Sequence, residues 1–88
     1  MYKRLEEFST YELVERRNLQ ELLHRTLLEL KHALDRRDYN LAIFLNTTGV
    51  RLLNMMVQQN LALQDEGEMI ETLRSNVANI LQLQNRLQ

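Results

Sequence analysis

The stretch from Asn40 to Gln64, NLAIFLNTTGVRLLNMMVQQNLALQ, decides how this chain folds. It holds a single charge, Arg51, in a chain of which 26% is charged. It has no proline and one glycine, Gly49, and its apolar residues recur at helical spacing, so it is predicted to form one long helix. Asn46, Thr47, Thr48, Asn54, Gln58, Gln59 and Asn60 make it too polar to span a membrane. A helix with neither charged surface nor lipid around it must be covered by protein over most of its circumference.

Its apolar residues form two stripes. Leu41, Leu45, Leu52 and Met55 continue through Thr48, Gln59 and Ala62 as a heptad seam. Ile43, Val50, Leu53, Val57 and Leu61 make a second seam on another side, and Phe44, Met56 and Leu63 extend the apolar surface. One seam can pack on a neighbouring helix of the hairpin. The other requires a third helix, another chain, or both. Gly49 costs about 1 kcal/mol relative to alanine in mid-helix, so it marks a close helix approach or a kink.

Outward from this stretch the boundaries are legible. Ser9 and Glu12 have the spacing of a capping box, opening a first helix over about 10–36. Its stripe is Leu19, Leu23, Leu27, Leu30 and Leu34, and the rest of it is heavily charged. Arg36-Arg37-Asp38 reads as a turn, with Asp38 capping a second helix over 39–64. Asp65-Glu66-Gly67-Glu68 reads as the second turn, with acids at the N-terminus of a third helix over 66–87. The stripe of that helix is Met69 or Ile70, Leu73, Val77, Ile80, Gln84 and Leu87. The class expected is all-α: an antiparallel three-helix bundle, a helical hairpin plus a third helix, in one domain over 1–88. A chain of 88 residues buries only roughly 60–65% of its unfolded surface, so the bundle is expected to be completed by oligomerisation, a homodimer first.

Composition narrows function. There is no cysteine, which removes disulfides and thiolate metal sites. No apolar run follows the basic residues of the N-terminus, so no secretory signal is read and a soluble, cytoplasmic location is expected. The formal net charge of -1 provides no field for nucleic acid. Glu21–His24 and Glu29–His32 repeat a Glu-x-x-His spacing used in carboxylate-bridged metal bundles. Both copies lie on the first helix, however, and no carboxylate lies between Asp38 and Asp65 to face them. The reading preferred is a charged face with intrahelical pairs such as Glu21 with Arg25, and neither metal nor cofactor is expected. No histidine lies in a glycine-bounded turn that could present a nucleophile, so no enzyme is expected. Arg16, Arg17, Arg25, Lys31, Arg36 and Arg37 invite a nucleic-acid reading, but interleaved acids cancel most of their field. Phe8 is expected to staple the first turn of the first helix. Asn46, Thr48 and Gln59 either meet across a symmetry axis or bond local backbone and water.

Ala33-Leu34, Asp38-Tyr39, Leu41, Leu45 and Arg51-Leu52-Leu53 together resemble the pattern of the small helical export chaperones of flagellar and related type III secretion systems. The resemblance covers Leu28 to Leu63. It implies a cytoplasmic helical bundle that shields a helical segment of an export substrate in an apolar groove. The functional expectation is therefore a non-enzymatic protein–protein interaction module, adaptor or chaperone-like, that binds a partner helix or itself through the charge-poor second helix. The residues expected at that interface are Leu45, Thr48, Arg51, Leu52, Met55, Met56, Gln59, Leu63 and Ile80. The alternative is a small dimeric nucleic-acid-binding regulator that uses the arginines of the first helix.

Overall fold

A computed structural model describes residues 2–86. Leu87, which helical spacing adds to the third helix, lies outside them. Three helices follow in order: α1 (Thr10–Asp35), α2 (Tyr39–Gln58) and α3 (Gln64–Arg86). They form an all-α, antiparallel three-helix bundle with extents of 50 × 21 × 15 Å. α2 is its centre. Both α1 and α3 pack along it, and among the described residues no Cα of α1 lies within 8 Å of one in α3.

The helix ends are set by local chemistry. Ser9 Oγ accepts from the Glu12 N–H and Glu12 Oε1 accepts from the Ser9 N–H, the reciprocal box expected at the start of α1. Asp38 Oδ1 accepts from the Leu41 N–H and caps α2. α1 and α2 both end in the same motif. Arg37 and Asn60 adopt left-handed backbone, φ 59° and 58°. The N–H groups of Asp38 and Leu61 then reach back to the carbonyls of Ala33 and Met56.

That motif corrects the expected length of the second helix. α2 stops at Gln58 and not at Gln64, because Asn60 turns the chain away and brings Leu61 back over Met56. The connection is the apolar run Leu61-Ala62-Leu63, of which Leu61 and Ala62 are buried and plug the end of the bundle. α3 begins two residues earlier than expected. Asp65, Glu66 and Gly67 lie within its first turn.

The core divides into two clusters along the bundle. Leu23, Leu53, Met56, Ile70 and Leu73 pack near the Leu61–Ala62 plug, and Leu30, Ala33, Ala42, Leu45 and Ile80 pack near the α1–α2 turn. Gly49 lies between them. A Cβ placed there would stand 3.3 Å from Leu73 Cδ1, 3.6 Å from Leu27 Cδ2 and 3.9 Å from Leu23 Cδ1. Leucines from both outer helices therefore converge on the α2 backbone at its one glycine, which is the close approach anticipated from sequence.

Two buried polar junctions fix how the helices sit. At the first, the Arg16 guanidinium of α1 donates to Glu66 Oε1 of α3 at 2.6 Å and to the Leu61 carbonyl at 3.2 Å. Glu66 Oε1 also accepts from the Leu63 N–H, closing the N-terminus of α3, while Oε2 accepts from Gln20. Phe8 is buried beside this junction, with its ring centroid 5.8 Å from the guanidinium carbon of Arg16. At the second, Asn46 of α2 is fully buried. Its Nδ2 donates to the Leu73 carbonyl at 2.7 Å and its Oδ1 accepts from Asn76 at 2.9 Å. Asn46 thus meets a helix of its own chain, neither a symmetry mate nor local backbone.

The segment ahead of α1 is tied down by Lys3, whose ammonium pairs with Glu12 at 2.8 Å. That hydrogen bond, with the one from the Ser9 backbone, lowers the Glu12 pKa from 4.5 to about 2.

Two predictions follow from these contacts. Removing one member of a buried ion pair strands the other, so Glu66→Ala should cost about 3–5 kcal/mol in urea unfolding. The double variant Arg16→Met/Glu66→Leu should lose less than Glu66→Ala alone. The Glu12 carboxyl is held below its unfolded value, so its contribution is fully present above about pH 4.5 and is lost progressively as pH falls from there through about 2. Carbon NMR should find its midpoint near 2, and Lys3→Ala should move it upward.

Candidate interaction surface

With its inner face spent on α1 and α3, α2 leaves a different face outward. Phe44, Thr48, Arg51 and Met55 follow at steps of four, three and four, so they share one side of the helix. Phe44 is 62% exposed and Met55 is 42% exposed. Arg51 is exposed and makes no ion pair with any described residue. Thr48, half-buried, spends its hydroxyl on the Phe44 carbonyl one turn back. The result is an outward strip of a large aromatic, a thioether and one cation, with no acid nearby along α2.

The sequence-derived interface residues separate into two groups. Leu45, Met56 and Ile80 are 6%, 0% and 1% exposed and belong to the chain's own core. The physical reason is rotational phase. The bonds of Asn46 turn α2 so that Asn46, Gly49 and Leu53 point inward with Leu45 and Met56, and Ile80 of α3 packs against Leu45 in the second cluster. Leu52 is half-buried at the margin of the first cluster, and Leu63 is half-buried in the connection. Thr48, Arg51, Met55 and Gln59 remain at least partly at the surface. The sequence-derived set omits Phe44, the most exposed large hydrophobic side chain of α2. Its signal was its position, four residues before Thr48 and seven before Arg51, between the two seams and in neither.

The other features singled out from sequence lie elsewhere. His24 and His32 are exposed on α1, and Glu21 pairs with Arg17 at 3.4 Å where Arg25 was expected. A shallow, open depression of about 360 Å³ is lined by Arg17, Gln20, Glu21, His24 and Arg25, all from this one helix. Among the described residues no three His, Asp or Glu side chains are grouped to hold a metal ion. A smaller cavity of about 190 Å³ lies between the N-terminal segment and the end of α2, lined by Tyr2, Lys3, Val57, Asn60 and Ala62. Arg16, counted in sequence among the cations of a basic face, is withdrawn into its pair with Glu66. Among the described residues no helix is long and apolar enough to cross a membrane.

No protein-family model, curated protein or solved structure matches this chain. The candidate surface therefore rests on the geometry of α2.

The division of α2 into spent and free faces has a direct consequence for stability. Met56→Ala should cost about 2–5 kcal/mol, the range for truncating a buried side chain of this size. Phe44→Ala should stay within about 0.5 kcal/mol of the parent, as for an exposed position. Urea unfolding of the two variants side by side checks both.

Proposed function

We propose that this chain is a non-enzymatic interaction protein that binds a helix, from another protein or from a second copy, along the Phe44–Met55 face of α2. One observation carries the proposal: Phe44 stands 62% exposed on a helix face whose only charge, Arg51, has no ionic partner among the described residues. Covering a phenylalanine is worth about 1.5–3 kcal/mol. Aromatic residues and arginine are also the side chains that most often dominate binding energy at protein interfaces. A strip at helical spacing suits helix-in-groove recognition, in which apolar anchors of the partner follow the same periodicity. Met55 adds an unbranched, polarizable contact that adapts to differently shaped partners.

In an export-chaperone-like protein the occupant would be a helical segment of a client; in an adaptor, a folded partner's helix. The nucleic-acid reading is the weaker one. The withdrawal of Arg16 removes a cation from the face it would use, and the acids of α1 remain interleaved with the others.

Site-specific photocrosslinking in the cells that make the protein tests the proposal. A benzophenone side chain replacing Phe44, or Gln58, the exposed residue three positions after Met55 on the same side of α2, should give discrete adducts, and one replacing Arg25 on the exposed side of α1 should give none. Adducts of equal yield from Arg25, or none from Phe44 and Gln58, would overturn the assignment of this face.

A further inference from the structure

The charge pattern of the α2 face states what its occupant must carry. The chain has no Asp or Glu between Asp38 and Asp65, and Arg51 makes no ion pair with any described residue. Docking an apolar helix over Phe44 and Met55 would desolvate Arg51, and a cation taken out of water without a partner is costly. The occupant must therefore bring the missing carboxylate.

A second copy does not supply it through this face. Laying Phe44 of one copy against Met55 of the other in antiparallel fashion places Thr48 opposite Arg51. It also sets the two Arg51 side chains only about 4.5 Å apart along the axis, at 1.5 Å per residue. A parallel pairing in register puts them directly side by side. Either arrangement juxtaposes like charges with no acid on the face to separate them.

The positions along α2 also set a spacing. Arg51 lies about 6 Å along the axis from Met55 and about 10 Å from Phe44. A helix running alongside would meet Met55, Arg51 and Phe44 with residues about four and then seven apart.

Resting on the reading that this face binds a helix, we infer that its occupant is an amphipathic helix of a different protein. That helix carries one Asp or Glu about four residues from one apolar anchor and about seven from the other. The carboxylate pairs with Arg51 while the anchors cover Met55 and Phe44. The fit is directional, because the acid sits off-centre between its anchors and a reversed helix misplaces it by about one turn.

The test uses a displayed library of α-helical peptides, randomised along one face, selected against the full chain. Selected helices should carry a single acid at the stated offset from two apolar residues. Arg51→Glu should weaken them about tenfold or more, and exchanging the peptide acid for Lys should restore binding to that variant. Helices that lose binding on Phe44→Ala yet carry no acid and ignore Arg51→Glu would overturn the carboxylate requirement and leave the face itself standing. Helices indifferent to Phe44→Ala, or a selection that yields none, would overturn both the requirement and the use of this face. Circular dichroism of each variant distinguishes lost binding from lost fold, and Phe44 and Arg51 are exposed positions whose replacement leaves the core untouched.

Discussion

The pair between Arg16 and Glu66 is the contact on which the arrangement of the other elements depends. It joins α1 to α3, two helices whose backbones do not approach closely, and it also grips the Leu61 carbonyl in the connection. Glu66 uses the same oxygen to close the first turn of α3. One carboxylate thus fixes where α3 starts and where α1 lies against it. A buried pair of this kind adds little net stability over well-packed apolar residues, but breaking it leaves a stranded charge. Its effect is to penalise other arrangements of the three helices.

The consequence runs down the bundle. With the start of α3 fixed, the Leu73 carbonyl and the Asn76 side chain come opposite Asn46. An unpaired amide at that depth would cost about 1–3 kcal/mol, so α2 is held in the one rotation that satisfies it. Gly49 allows the leucines of both outer helices to close over the same turn. The face left outward by that rotation is the one that bears Phe44, Arg51 and Met55. One side of α2 is thus buried by its own chain, and the other exposes apolar and uncharged residues around the single charge, Arg51.

Much of this was legible in the sequence, and what was not has identifiable causes. The Ser9–Glu12 cap and the close approach at Gly49 are local signals, and each appears in the fold, whereas the inward residues of α2 follow neither seam. The end of α2 was misjudged because its stop signal is Asn60 in left-handed backbone, where glycine is the usual mark. The burial of Arg16 could not be read, since its partner lies 50 positions away and a charged residue on a charged helix looks solvated. The candidate surface suffered from the same limit. Seam spacing identifies which residues are apolar but not how the helix is rotated, and the long-range bonds of Asn46 set the rotation. Leu45 and Met56, expected at the interface from that spacing, therefore lie in the core, and Phe44, which belongs to neither seam, stands at the surface.

Neighbouring methionines offer the most direct test of that rotation. Met55 and Met56 differ by one position, and the structure places the first at 42% exposure and the second at 0%. Their ε-methyl NMR signals, recorded in dilute solution with a soluble paramagnetic agent, should separate cleanly. The account predicts strong relaxation enhancement at Met55 and protection at Met56. Equal enhancement at both, or protection at Met55 with enhancement at Met56, would contradict it.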